Sequence, residues 1–358
     1  MEISYRRAPH ICLRWEGGAL LCTSGITGRE FRLSPGVVRV LDGLDAGATR
    51  EEICRRAAIP MVLVERLIDS DLLIPATSGA ADGPVNPGVA YWNSYELVLQ
   101  RMTGRGKRRS GYLETPMPAP RRRHPGPTVK LPEFDETDPA GVPFASVLAG
   151  RRSRRVFSER PLTLAQLAAL LVGAARVTSA DDERGVSYRP YPSGGGRHPL
   201  EIYVLPLRVD GLSSDAVYHF DPSDRHLVSL VGRDTIGAVL RDVAAAMAED
   251  PATENNAPAA ILLLTSFFGR TLWKYEYMGL ATIYKDVGCL TQTLYLQSIA
   301  LGLAGCAVGG GPEQVIAGGL GLDHMEESYV GAFFVGHPEE HQPASALSAP
   351  VPGARRTP

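Results

Sequence analysis

The chain has 358 residues, 44% of them hydrophobic and 21% charged, with 37 Lys and Arg against 39 Asp and Glu. That composition predicts a soluble globular protein with room for one large domain and a small one, and it excludes a global basic field for nucleic acid. The longest apolar run, 257–264, is too short for a membrane span, the polar Met1-Glu2-Ile3-Ser4 start does not read as a signal peptide, and the five scattered cysteines (Cys12, Cys22, Cys54, Cys289, Cys306) form no CxxC pair, so reduced thiols in a cytoplasmic protein are expected, without structural zinc.

Residues 11–15 and 19–22 read as strands around Glu16-Gly17-Gly18, a hairpin-type turn. Ser34-Pro35 opens a helix with an N-cap serine and a proline at its first position, and Val37, Val38, Leu41 and Leu44 follow at helical spacing. Thr49-Arg50-Glu51-Glu52 is a capping box for a second helix. Residues 60–70 form a third helix and 72–75 a closing strand. Together they predict a small winged-helix-like α/β domain over 1–78. Its third helix sets Glu65 and Asp69 against Arg66, which is poor chemistry for phosphates. DNA binding is therefore not expected, and the domain is read as a structural or dimerisation element or as a peptide-binding module.

Residues 79–140 are punctuated by Pro84, Pro87, Pro116, Pro118, Pro120, Pro125 and Pro127, with one helical piece over 92–102. This is a Pro/Gly-rich linker with partial order. It carries a basic run, Arg101, Arg105, Lys107, Arg108 and Arg109, then Arg121, Arg122 and Arg123. The run is either solvated or meets an acidic peptide or other anionic partner; without aromatic platforms it is a poor RNA site.

From Pro143 the composition turns apolar and periodic. Residues 144–148 lead into Arg151-Arg152-Ser153-Arg154-Arg155-Val156-Phe157. A helix over 161–175 sets Leu164, Leu167, Ala168 and Leu171 on one face. Tyr188 then opens the stretch YRPYPSGGGRHPLEIYVL. Its strand, 200–205, alternates apolar Leu200, Ile202 and Val204 with Glu201 and Tyr203, as a half-buried strand does. A strand at 217–220, a helix at 235–249, a buried strand at 259–265, a long helix at 286–303 that is apolar nearly all round and a strand at 329–335 complete a domain over 141–340. Residues 341–358 read as a disordered tail.

Four arginines in five residues repel one another unless an anion sits among them. Arginine binds phosphate bidentately, and Ser153 adds a hydroxyl. Glycine backbone can lie flat against a planar ligand. Gly194-Gly195-Gly196-Arg197 lacks the P-loop pattern, and Gly309-Gly310-Gly311-Pro312-Glu313 lacks dinucleotide-fold spacing.

The arginine stretch and the Ser-Gly stretch together resemble the nitroreductase-like FMN-dependent flavoenzymes. More closely, they resemble the SagB-type dehydrogenases, which oxidise thiazoline and oxazoline rings to azoles in ribosomally made peptides. The resemblance covers residues 141–338 and implies an α+β three-layer fold, a homodimer and FMN at its interface. Carried over by motif, Arg151, Ser153 and Arg155, with Arg152, bind FMN; Arg154 has no counterpart, and Phe157 packs in the core. Pro192, Ser193 and Gly194 border the isoalloxazine ring, Gly309 and Gly310 approach it by backbone, and Gln292 reaches it from a helix. In Trp273-Lys274-Tyr275 the resemblance implies a catalytic pair, Lys274 as general base with Tyr275 relaying or orienting. It also implies a peptide substrate with a leader segment, held by the N-terminal domain as a clamp, and a cyclodehydratase as a possible complex partner.

The sequence departs from the family at Met278, Ala281 and Cys289, where two arginines and a histidine are usual, while Asp286 and Gly288 keep the pattern. Gly336-His337-Pro338 also lacks the basic residue that many nitroreductases set on the phosphate. Two alternatives stay open: an oxidoreductase of a small molecule fed by a nicotinamide donor, and a non-catalytic homologue that binds a peptide or a partner enzyme. His198, His219 and His226 have no ligand spacing and read as surface histidines.

Overall fold

A computed structural model describes residues 3–76, 91–108, 116–120, 122–133, 142–230, 257–311 and 313–339. The helix expected over 235–249, the tail at 341–358 and Arg109 and Arg121 of the basic run lie outside the described residues. The chain divides into two units, Met1–Lys107 and Arg108–Pro358. No described helix is long and apolar enough to cross a membrane.

In the first unit, β1 (Tyr5–Arg7) pairs with β5 (Leu73–Pro75), while β2 (Ile11–Glu16), β3 (Ala19–Ser24) and β4 (Glu30–Leu33) form a three-stranded antiparallel sheet. Gly17 and Gly18 make the two-residue turn between β2 and β3 at φ of +55° and +76°, the conformation that such a tight hairpin requires. Three helices follow, α1 (Pro35–Asp42), α2 (Arg50–Ala57) and α3 (Met61–Asp69). Ser34 caps α1, and Thr49 with Glu52 forms the capping box of α2. Val37, Val40, Leu41, Ile53, Val64 and Leu67 pack with Tyr5, Cys22 and Leu73 in one core. A fourth helix, α4 (Ser94–Gly104), starts two residues later than the sequence suggests, because the Asn93 side chain accepts the Glu96 N–H.

Among the described residues, the second unit is built on a seven-stranded antiparallel sheet. Its strands are β6 (Thr128–Lys130), β9 (Leu200–Pro206), β10 (Tyr218–Asp221), β11 (His226–Ser229), β12 (Ala260–Phe267), β13 (Ala304–Val308) and β14 (Glu327–Gly336), in the spatial order β13-β14-β12-β9-β10-β11-β6. A small hairpin, β7 (Ser179–Asp181) with β8 (Val186–Tyr188), stands apart from that sheet. The described helices of the unit are α5 (Phe144–Gly150), α6 (Leu164–Ala175), α7 (Phe268–Leu272), α8 (Gly279–Ala300) and α9 (Glu313–Leu320).

Alternate residues of β9 feed two cores. Leu200, Ile202 and Val204 pack with α6 and α8, through Leu167, Leu171, Ile283, Leu290 and Leu294. Tyr203 and Leu205 pack with Ile316, Ala317 and Leu320 of α9. The sheet is thus a middle layer between helices, the three-layer α+β arrangement expected.

The strand β9 is not half-buried, as its alternation suggests, but buried along its whole length. Its polar residues are paired instead of solvated. Glu201 accepts from Arg270 Nη1 at 2.6 Å and shares a hydrogen bond with His219 Nε2 at 2.9 Å. Tyr203 donates to Glu327 at 2.9 Å. Residues 116–120 and 122–130 run across this polar face, where Ala119 accepts from Arg270 Nε at 3.0 Å and His124 meets Tyr203 at 3.0 Å before β6 joins the sheet edge. His219 and His198 are 1% and 3% exposed, so the expectation of surface histidines fails for both.

Candidate active site

The glycine loop is fixed to α8 by one carboxylate. Ser193 Oγ donates to Asp286 Oδ2 at 2.5 Å and the Gly194 N–H to Oδ1 at 3.0 Å, while Ser193 Oγ accepts the His198 N–H at 2.9 Å. Burial pushes the Asp286 carboxyl up and the two donors pull it back, leaving it above its ordinary value. Gly194 touches the helix by backbone: a Cβ there would lie 2.2 Å from Thr282 Cγ2. Asp286 matched a family position without a role in the sequence, and the structure gives it one as the anchor of the loop. His198 ends the loop at φ +40°, against the edge of the Tyr191 ring. Burial and then Arg189 hold its imidazole down to about 3, so it is neutral.

Lys274 and Tyr275 meet this loop from the other side. The strand β12 and the short helix α7 lead into Trp273, and Lys274 Nζ then donates to the Gly195 carbonyl at 3.2 Å. The ring of Tyr275, which is buried, lies 5.9 Å from that Nζ. Burial lowers the Lys274 amine from its ordinary value, and the charges of Arg108 and Arg197 lower it further. The sequence motifs around Ser193 and Lys274 are therefore brought together.

The arginine stretch attaches elsewhere on α8. Tyr295 Oη accepts the Ala307 N–H at 2.7 Å and shares a 2.7 Å hydrogen bond with Ser153 Oγ. The Arg151 guanidinium stands 5.5 Å above the Tyr295 ring. Arg154 ties its own N–H to the Gly305 carbonyl at 2.9 Å, and Phe157 is fully buried, as expected. Arg152 donates to the Ala149 and Arg151 carbonyls. None of Arg151, Arg152, Arg154 and Arg155 forms an ion pair among the described residues.

Tyr295 was not singled out from the sequence; its one signal is a tyrosine inside a helix otherwise read as apolar. Asp286 and Tyr295 lie nine residues apart on α8, about two and a half turns and roughly 13 Å along the axis, hence on opposite sides of the helix. Within one chain the two stretches share a helix but do not face one another. Pro192, Gln292, Gly309 and Gly310 are exposed. At Gly309 and Gly310 the space a Cβ would occupy is open, and the Gly310 carbonyl accepts from Tyr329 at 3.0 Å.

The sequence model of the nitroreductase family matches residues 148–337, more than half of the chain. The chain belongs to the nitroreductase family. The match starts just before the arginine stretch and ends after β14, so every site residue above lies within it and the first unit lies outside. Among nitroreductase-related proteins, MJ1384 of Methanocaldococcus jannaschii, which bears the nitroreductase name, is 31% identical over 185 residues, 51% of this chain and 83% of its own. The trifolitoxin-processing protein TfxB of Rhizobium leguminosarum bv. trifolii is 27% identical over 152 residues, 42% of this chain and 40% of its own. The microcin B17-processing protein McbC of Escherichia coli is 26% identical over 165 residues, 45% of this chain and 57% of its own. The chain thus spans about half the length of these two processing proteins.

Proposed function

We propose that this nitroreductase-family protein is an FMN-dependent, SagB-type dehydrogenase that oxidises azoline rings to azoles in a ribosomally made peptide. The observation that carries the reading is Lys274, a lysine of suppressed basicity held on the Gly195 carbonyl beside Ser193 and Gly194. The similarity to two peptide-processing proteins by name, TfxB and McbC, supports the substrate class.

The residues present fit FMN. Four arginines without carboxylate partners among the described residues suit a phosphate dianion. Arg151, Arg152, Ser153 and Arg155 would hold that phosphate. Pro192, Ser193, Gly194, Gln292, Gly309 and Gly310 would border the ring, where bare glycine backbone leaves room for a flat ligand. FMN bound there would supply the acceptor for a hydride. The conversion of azoline to azole removes a hydride from one ring carbon and a proton from its neighbour. Lys274 takes the proton as general base, and Tyr275 orients the amine.

Because the two stretches sit on opposite sides of α8, the reading draws the arginines from one copy and the glycine loop from the other, in a homodimer. Phe144 and Leu148, 65% and 47% exposed, place apolar surface beside the arginine stretch for such a partner. The first unit is assigned as the clamp for the peptide's leader segment, and a cyclodehydratase as the upstream partner. Met278, Ala281 and Cys289 favour one second reading, a small-molecule oxidoreductase, because they make that side of the site more apolar than in the family.

The test is mass spectrometry of an azoline-bearing peptide incubated with the FMN-loaded protein. A loss of about two daltons per ring is expected, and Lys274→Ala should abolish it with flavin still bound. An unchanged peptide mass, with flavin bleached instead by a nicotinamide nucleotide alone, would transfer the assignment to the second reading.

A further inference from the structure

Arg197 closes the glycine loop and is 2% exposed. Its Nε donates to the Arg270 carbonyl at 2.7 Å, and its Nη1 to the Gly185 and Arg184 carbonyls at 2.6 and 3.1 Å and to Met117 Sδ at 3.6 Å. Arg270 reciprocates, its Nη1 donating to the His198 carbonyl at 3.2 Å. The two side chains clasp the end of the loop to the segment that carries Lys274.

They differ in charge balance. Arg270 lies 2.6 Å from Glu201. Arg197 forms no ion pair among the described residues, and its Nη2 is buried without a hydrogen-bond partner. Its guanidinium lies 5.5 Å from the centre of the Trp273 ring, one residue before Lys274. A buried cation without a counter-ion opposes a second positive charge close by, and more strongly than it would in water.

We propose that Arg197 is the positioning residue for Lys274: by clasping the loop end to the segment after α7 it seats the amine on the Gly195 carbonyl, and its buried charge disfavours a second positive charge there. The inference rests on the reading of Lys274 as the general base. Among the described residues, the charged groups that bear on Lys274 are Arg108 and Arg197, and the Tyr275 ring is the titratable group against it. Arg108 is exposed, so salt screens it, whereas the buried Arg197 keeps its influence at high salt.

The experiment is competitive acetylation of Lys274 across pH at high salt, read by mass spectrometry on the full chain with no peptide added. Lys274 should titrate below a lysine in a reference peptide. Arg197→Met should move its midpoint upward, and Arg197→Lys should restore the lower one. A midpoint unmoved in Arg197→Met overturns the proposal. So does a wild-type Lys274 that titrates with the reference peptide, a result that stands even if the methionine variant does not fold. Since the readout needs no turnover, failure to form azoles bears on the assigned reaction and leaves this coupling intact.

Discussion

Glu201 and Arg270 form an ion pair of 2.6 Å whose side chains are 3% and 1% exposed. Burial would raise the Glu201 carboxyl, but Arg270 and then His219 overrule it and hold it at about 2, below its ordinary 4.5. A depressed acid stabilises the fold above its ordinary value, and that stabilisation is lost as pH falls from about 4.5 to about 2. Glu201→Gln leaves Arg270 buried and unpaired, and is expected to cost about 3–5 kcal/mol at neutral pH. The variant should also lose less further stability in that acid window. Urea unfolding across pH measures both; parallel acid limbs for the two proteins would remove the role assigned to this pair. The sequence misplaced Glu201, because alternation along a strand looks the same whether the polar face meets water or a second layer with its own charges. Arg197, Arg270 and Tyr295 were equally hidden, since their partners are backbone groups and side chains far away in the chain.

The contact between the glycine loop and the segment after α7 was legible as two motifs but not as a contact. Gly195 shows why it needs a glycine. Its φ is +66°, and a Cβ would lie 2.6 Å from Tyr275 Oη and 2.7 Å from Lys274 Nζ. Gly195→Ala therefore combines a left-handed backbone strain of about 1–2 kcal/mol with displacement of the lysine. Its turnover should fall towards that of Lys274→Ala while its melting temperature falls only modestly. A rate equal to wild type in the steady-state assay would show that this contact is not needed.

Other elements were legible where a side chain marks the boundary. Ser34, Thr49 and the Gly17-Gly18 turn stand where the sequence puts them. The start of α8 was not legible: Met278 offers no side-chain cap, and the first two turns are held instead by Thr282 Oγ1 donating to the Met278 carbonyl at 2.9 Å and by Gly279 lying against Leu272. The helix α6 begins at Leu164 and not at Pro161, because Thr163 and Gln166 form a capping box there.

At the scale of the whole molecule, the position of the arginines and the glycine loop on opposite sides of α8 makes a dimer a condition of the proposed chemistry. If each site takes its arginines from one copy and Lys274 from the other, two inactive variants should complement. A mixture of Lys274→Ala with Arg151→Ala/Arg155→Ala, unfolded and refolded together, is expected to recover about a quarter of wild-type activity, because half of the dimers are mixed and each mixed dimer has one intact site. No recovery, with mixed dimers present by native mass spectrometry, would place the whole site within one chain.

If the arginine stretch binds the FMN phosphate as proposed, it also ties folding to supply. Without a ligand, its like charges sit close together and weaken the fold; a bound dianion relieves this and stabilises the native state by mass action. Ligand-free protein should therefore melt at a higher temperature as inorganic phosphate is added, beyond the effect of chloride at equal ionic strength, and an unmoved midpoint would discard the idea. A cell short of riboflavin would then hold less of this protein, and its abundance would follow the vitamin before any change in its gene's expression.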